Sequence, residues 1–398
     1  MLKISRIPSE LEEFLESFKD MLTKPQYKHF TRYLLGLITA RKKNVEGISS
    51  NVLQAPNRSN LTRFLIESVW DAEKAFKLAL TRTYRRIDFK FGEIVYLIID
   101  DTGTEKTGKH IQGTGVFKNH NGDHPFYFGH NIVKAIMVYR GISLPVGIRI
   151  YFKEEYCQKE GMPFKTKNQL AAELIGEFSP PPGMKVVVLF DSWFLCPIVA
   201  NAIRTKRWRY VSQLKSNRII YLGAKKYNVS EFADIVREKF SLCDYRPRGK
   251  KDQPITVYQR VVRLNKLGRV NLVLSRDGKD DVKYLVTDLV SAPARLVVKR
   301  YDLRWNIECY FRDIKQHLGL GEYQMRSLHG IVRHLYIVMI AYILLVHVKS
   351  FLHRSLKTIG DACRFVISLT MRDLINWVIN QCKTKTGLLS VHTKLGLA

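Results

Sequence analysis

Four residues in the stretch Tyr301–Lys315, YDLRWNIECYFRDIK, set one acid among groups that bind phosphate. Wound as a helix at about 100° per residue, Tyr301, Arg304, Glu308 and Lys315 fall at about 0°, −60°, −20° and −40°. One face then carries a hydroxyl, two cations and a single carboxylate. Leu303, Ile307, Tyr310, Ile314 and Leu318 fall at about 180–260° on the same wheel, so the opposite face is built for burial. The ordinary reading of such a helix is an amphipathic element with solvated charges. Glu308 gains a chemical role only if other acids converge on it. Two places supply them. Asp100-Asp101 follow the apolar run Tyr96-Leu97-Ile98-Ile99, and Asp191 follows Val186-Val187-Val188-Leu189-Phe190. A lone aspartate at a strand end is most often turn chemistry. Three convergent carboxylates have a stronger use, which is to hold two divalent ions roughly 3.5–4 Å apart. One ion activates a water or a 3′-hydroxyl, and the other stabilises the leaving oxygen of a phosphodiester. Hard oxygen donors suit Mg2+, with Mn2+ as a substitute, rather than zinc. Adjacent strand residues point to opposite faces, so only one of Asp100 and Asp101 can serve, and the apolar residues upstream do not say which.

Those acids need a sheet to hold them. From Ile94 the pattern reads as a buried strand that emerges at an acidic turn, followed by a Gly/His/Asn-rich loop over Thr102–Asn131. Ile132–Tyr139 and Leu144–Phe152 read as a hairpin around Arg140-Gly141-Ile142-Ser143. An amphipathic helix over Asn168–Phe178 stops at Pro180-Pro181-Pro182-Gly183. The Asp191 strand, a helix at about Pro197–Lys206 and a strand at Arg209–Leu214 follow. Three antiparallel strands therefore lead into parallel ones, with acids at the ends of the first and fourth. Residues 216–284 break the rhythm and read as a β-rich insertion, with turns at Pro247-Arg248-Gly249 and Asp277-Gly278. Lys283–Asp288 is a last strand. Helices over Gly330–Phe351 and about Ile359–Ile379 close the fold.

Upstream, residues 1–88 read as helical, with Leu11, Phe14, Leu15 and Phe18, then Tyr33, Leu34, Leu37 and Ile38, at helical spacing. Within Ser49–Trp70 a turn at Ala55-Pro56-Asn57 precedes a helix bearing Leu61, Phe64, Leu65 and Val69. This is compatible with a helix-turn-helix reader of the major groove, and equally with an ordinary bundle. The chain of 398 residues carries 65 Lys plus Arg against 36 Asp plus Glu, a formal charge of +29 spread along its length. With 46% hydrophobic and 11% aromatic residues it is globular. A polyanion is the first partner to consider, nucleic acid ahead of an anionic membrane. No secretory signal is expected, and the apolar run Leu335–Val348 is short enough to read as a core helix. Six cysteines without CxxC spacing indicate neither a zinc site nor a disulfide scaffold. His120, His124 and His130, with Asp123 among them, read as loop polarity rather than a metal site.

The spacing Tyr301-x2-Arg304-x3-Glu308-x6-Lys315 resembles the Y-R-E-K signature of insertion-sequence DDE transposases, and YDLRWNIECYFRDIKQHLGL is similar to that family beyond the four letters. The resemblance covers roughly Tyr96–Arg333. It implies an α/β fold: an RNase H-like mixed sheet with flanking helices, interrupted by a β-rich insertion, plus an N-terminal helical domain. The expected divisions are a DNA-binding domain over 1–88, the catalytic core over 89–215 and 285–350, the insertion over 216–284 and a C-terminal helical region over 351–398. The family's first acid usually precedes a hydroxyl residue, which implies Asp101 (before Thr102), with Asp100 as the fallback. Asp191 and Glu308 complete the set, at spacings of 191 − 101 = 90 and 308 − 191 = 117. The resemblance implies cut-and-paste transposition with two Mg2+ ions per site. Its DNA partners would be terminal inverted repeats and target DNA, bound by a homodimer in the cytoplasm, associated with the nucleoid. Tyr301, Arg304 and Lys315 would contact phosphates beside the scissile bond. Trp193, where the related motif commonly has a small residue, and Trp305 could stack on a displaced base, although a core position is the commoner fate of tryptophan. The alternatives are a domesticated DNA-binding protein without catalysis and a nonspecific nuclease of the same fold.

Overall fold

The computed structural model describes residues 2–53, 58–119, 124–246, 254–277, 281–383 and 385–395. The turn expected at Ala55-Pro56-Asn57, the turn at Pro247-Arg248-Gly249, Gly278, His120 and Asp123 lie outside these residues. In chain order the elements are α1 (Ser9–Glu16), α2 (Lys24–Thr39), α3 (Val45–Ser50), α4 (Arg58–Ile66), α5 (Ala72–Arg85), β1 (Ile94–Glu105), β2 (Gly115–Lys118), β3 (Phe126–Tyr139) and β4 (Ile142–Tyr151). Then come α6 (Glu154–Lys159), α7 (Lys167–Glu177), β5 (Lys185–Phe190), α8 (Pro197–Thr205), β6 (Arg209–Gln213), β7 (Ile219–Leu222), β8 (Lys225–Asn228), α9 (Val229–Ile235), β9 (Ser241–Cys243), β10 (Ile255–Leu264), β11 (Gly268–Arg276) and β12 (Val282–Thr287). The chain closes with α10 (Ala294–Asp302), α11 (Trp305–Leu318), α12 (Leu328–His347), α13 (Ile359–Gln381) and α14 (Lys385–Leu395). Contacts divide it into two units. One comprises Met1–Asp88, Thr104–His130 and Tyr310–Ala398, and the other comprises Phe89–Gly103 and Asn131–Cys309.

The first unit is a helical assembly around α12. Every residue of α12 from Gly330 to His347 is buried except Val332, against α2, α4, α5 and α13. A helix apolar on nearly all sides needs such a surround. With the turn that follows it, the segment Leu328–Leu352 is long and apolar enough to cross a membrane by composition, yet most of it is buried within the protein. The run Leu335–Val348 is thus a core helix, as expected, but one lengthened by Leu328–His334, where polar groups are buried with partners. Arg333 donates to the carbonyls of Leu65 (3.0 Å) and Trp70 (2.9 Å), satisfying orphaned acceptors at and beyond the end of α4. Leu61, Phe64 and Leu65 are buried, but α4 stops at Ile66 and leaves Val69 exposed, so the apolar face is shorter than its pattern.

The second unit is a mixed α/β sheet of the RNase H-like kind. Its strands run β3-β1-β5-β6-β12-β11-β10-β7-β8, with β4 on β3 and β9 on β10. β1, β5 and β6 are parallel. The β3–β4 hairpin turns through Arg140 (φ 45°) and Gly141 (φ 81°), the doubly left-handed geometry that two-residue hairpins require. Residues 216–284 join the same sheet: β12 pairs antiparallel with β6, and β11 and β10 follow outward. The stretch also contains α9, which its polar pattern concealed.

Candidate active site

Strand β1 does not stop at its acids. It continues through Asp100 and Asp101 to Glu105, because Thr102 and Thr104 keep the alternation and are themselves buried. The acidic turn expected there is therefore a strand interior. β1 and β5 pair in parallel as far as Ile98↔Leu189. Carrying that register two residues on sets Asp100 level with Asp191, and level residues of adjacent strands share a face. Asp101 lies on the other face. Its Oδ2 accepts from Lys167 Nζ at 2.7 Å and Asn131 Nδ2 at 2.9 Å.

The stretch Tyr301–Lys315 is two helices rather than one. α10 ends at Asp302 and α11 starts at Trp305. Between them, three-residue hydrogen bonds from Arg304 N to Tyr301 O (2.9 Å) and Ile307 N to Arg304 O (3.0 Å) tighten the winding. The inward residues Ile307, Tyr310, Ile314 and Leu318 are fully buried as the wheel requires, while Leu303 in the joint is only half-buried. The joint presents Arg304 between two carboxylates. Nη1 donates to Asp100 Oδ2 at 2.6 Å and Nη2 donates to Glu308 Oε1 at 3.0 Å. Tyr301 lies beside this pair, its hydroxyl donating to Gln213 Oε1 at 3.1 Å.

Burial pushes Asp100 well above the ordinary carboxylate range. Arg304 opposes the shift, and the charges of Asp191, Asp101 and Glu308 add to it. Asp191 is raised for the same first reason, against backbone N–H groups of Trp193 (2.9 Å) and Phe194 (3.4 Å) that point at its Oδ1. Burial works against the charge of Arg304, but Asp100, Tyr301 and Glu308 outweigh it and hold the guanidinium more firmly protonated. Burial also lifts the Tyr301 hydroxyl to about 12, so it remains a donor. The site thus keeps more acid than base in a place that disfavours bare charge.

Asp100, Glu308, Arg304 and Tyr301 are therefore assembled with Asp191 beside them, whereas Asp101 has separate partners. Lys315 lies in the last turn of α11, exposed, seven residues beyond Glu308 and so about 10.5 Å along the helix. Trp193 and Trp305 are 52% and 54% exposed. The core positions expected for them are not what the structure has. Trp193 follows an aspartate-centred turn that carries it outward, and Trp305 opens α11 before the buried stripe begins. Lys215 Nζ stands 5.1 Å from the centre of the Trp193 ring. The sequence reading missed Lys167, Asn131 and Gln213. Only Lys167 had a nearby signal, since Thr166 and Gln169 form a capping box that fixes the start of α7 at that residue.

Among the described residues no three His, Cys, Asp or Glu side chains converge closely enough to hold an ion as they stand. His130, from the suspected loop, is instead buried and bonded to Tyr323 and Gln112. In chemistry, the all-oxygen set of Asp100, Asp191 and Glu308 suits a hard divalent cation. In the structure Arg304 stands between two of its members and partly neutralises them.

A family model described as DDE superfamily endonuclease matches residues 13–230, and one described as archaeal putative transposase ISC1217 matches residues 152–358. No curated protein matched the chain. Each of the two models spans more than half of the sequence, and together they take in both acid-bearing strands and the helix of Glu308. The chain belongs to the DDE superfamily of endonucleases and transposases.

Proposed function

We propose that this protein is a cut-and-paste DNA transposase whose acids are Asp100, Asp191 and Glu308. The observation that carries the reading is the network Asp100–Arg304–Glu308, with Asp191 just past the end of the neighbouring strand β5 and close enough for its charge to act on Asp100. Asp100 is preferred to Asp101 because Asp101 is bound by Lys167 and Asn131. Mg2+ or Mn2+ bound by the three carboxylates would supply water activation and stabilisation of the leaving oxygen. In the first step water forms a bond to the scissile phosphorus at a transposon end. The P–O3′ bond breaks, and the 3′-oxygen leaves as a hydroxyl. In the second step that hydroxyl forms a bond to a target phosphorus, displacing a target 3′-oxygen. Arg304, poised between carboxylates, can exchange one of them for a phosphate oxygen and stabilise charge as it develops. Tyr301 is held as a neutral donor at its side, and Lys315 serves the flanking backbone as a point charge. Terminal inverted repeats, target DNA and a homodimer that pairs two ends complete the reading.

The test is cleavage and strand transfer on end-bearing duplexes with Mg2+. Asp191→Asn and Glu308→Gln should each lower cleavage by roughly 10²–10³-fold or more while end binding survives. Wild-type rates in both variants would sink the proposal. Cleavage without any joined product would point to a nuclease instead, and tight binding without cleavage by the intact chain would point to a domesticated DNA-binding protein.

A further inference from the structure

In the outer part of the sheet, one row of side chains crosses four strands. Lys226 of β8 pairs with Tyr221 of β7, Tyr221 with Arg263 of β10, and Arg263 with Arg269 of β11. Directly paired residues share a face. The other face holds Ile220, Val262, Leu264 and Val270, all nearly inaccessible, and Tyr227 and Tyr258 there meet Phe232 of α9. The row of Lys226, Arg263 and Arg269 is therefore the solvent face, and these three are exposed. At 4.7–4.9 Å between strands it spans about 14 Å, the axial length of roughly four base pairs.

The row is costly without a ligand. Arg263 and Arg269 stand opposite each other, and like charges in that position destabilise a sheet. Among the described residues no carboxylate pairs with Lys226, Arg263 or Arg269. The Arg263 guanidinium carbon stands 4.7 Å from the centre of the Tyr221 ring. Beside the row β10 pairs with β9 over Ile255–Val257 and with β7 over Arg263–Leu264, and among the described residues no strand pairs with that edge between them. A cavity of about 550 Å³ lies there, lined by Arg263, Arg269, Tyr221 and the Gly223 turn and, from the other face, by Arg260 and Val262. Cations and strand-edge N–H groups are the components that hold the phosphates of a duplex.

We infer that the outer face of β8–β7–β10–β11 is a second DNA-binding surface that grips the phosphate backbone of duplex DNA. It is separate from the acid site, since β5 and β11, the nearest strand of that face, are three strand spacings apart in the sheet order, or about 14 Å. The inference rests on the reading that the partner is DNA, but not on cleavage. Its experiment measures binding of the full chain to a long duplex of arbitrary sequence by fluorescence anisotropy, in EDTA, across a salt series. The triple variant Lys226→Ala/Arg263→Ala/Arg269→Ala should bind roughly tenfold or more weakly, and the slope of log K against log salt should shrink by about 2–3. Its melting temperature should hold or rise, because the Arg263–Arg269 repulsion is gone. The double variant Arg263→Lys/Arg269→Lys should keep most of the slope, and Arg269→Gln alone gives the reading if the triple variant does not fold. An unchanged slope in a folded variant overturns the inference, as does altered self-association with unchanged DNA affinity. A wild type that shows the slope but never cuts would refute the catalytic proposal and leave this one standing.

Discussion

Two buried polar clusters draw residues from the same strand, β1, and they differ in charge balance. In the helical unit, His130 Nε2 donates to Gln112 O at 2.8 Å, which leaves Nδ1 to accept from the Tyr323 hydroxyl at 2.7 Å. Thr104 Oγ1 lies 3.1 Å from that hydroxyl, and Lys106 Nζ donates to Tyr323 O at 2.8 Å over the same ring. Donors and acceptors match, and burial lowers the Lys106 ammonium to about 7, so the cluster closes on itself with little net charge. In the sheet unit, Asp100 and Glu308 pair with one guanidinium, whose charge also acts on Asp191. A closed polar network specifies a fold. A network left with surplus charge of one sign specifies a ligand of the other, and this contrast separates architecture from chemistry in a protein rich in both.

The sharpest way to break the comparison is to remove Arg304. Both it and Asp100 have largely buried side chains, 18% and 13% exposed. Arg304→Ala leaves Asp100 among other acids without its cation and should cost about 3–5 kcal/mol of stability in EDTA. Mg2+ should restore a larger part of the melting temperature in this variant than it adds to the wild type, because a ligand bound only by the folded state stabilises it. Equal Mg2+ responses in calorimetry would mean that the acids are not a cation site.

The second test separates the adjacent aspartates. Asp100→Asn should lower cleavage by roughly 10²–10³-fold, about 2.7–4 kcal/mol in the barrier. Asp101→Asn keeps the bonding shape toward Lys167 and Asn131 and should cost about tenfold or less. The reverse order would return the role to Asp101 and break the argument from strand register.

That choice also marks how far the sequence could be read. The helical stretch before β1 and the two buried acid-bearing strands β1 and β5 follow from apolar periodicity and apolar runs, which burial enforces, whereas the pairing of β1 with β5 is visible only in the register. Tyr301, Arg304 and Glu308 stand together across a joint between two helices where the pattern read one, and Lys315 lies further along the second of them. Asp101 could not be placed from its neighbours. Its partners lie 66 and 30 residues away, and no local pattern reports such contacts. The course of residues 216–284 was hidden for a related reason: polar, exposed strands such as β8 carry little alternation, and only their register shows that they extend the sheet.

The closed cluster makes a smaller, pH-dependent prediction. Burial lowers the His130 imidazole to about 4 from its ordinary 6.5. Between those values the unfolded chain binds the proton and the folded one does not. The contribution is therefore present above about pH 6.5 and is lost as pH falls toward 4, at up to about 1.4 kcal/mol per pH unit. His130→Gln should flatten that part of the stability curve while Mg2+ responses stay as in the wild type. A curve as steep as the wild type's over pH 4–6.5 would mean that His130 titrates normally and that its cluster is open to water.

The smallest effect on stability belongs to Trp193 and Trp305. Each is more than half exposed, so Trp193→Ala and Trp305→Ala should change the folding free energy by about 0.5 kcal/mol or less. An aromatic ring held out beside an acid site can stack on an unpaired base, and such stacking is worth about 1–3 kcal/mol by alanine substitution. Binding should therefore weaken more for an end with a displaced base than for an intact duplex. Anisotropy with matched and base-displaced ends reads the difference directly. Equal losses on both would make the rings general contacts with the duplex, and their place beside the acids would then carry no specificity for distorted ends.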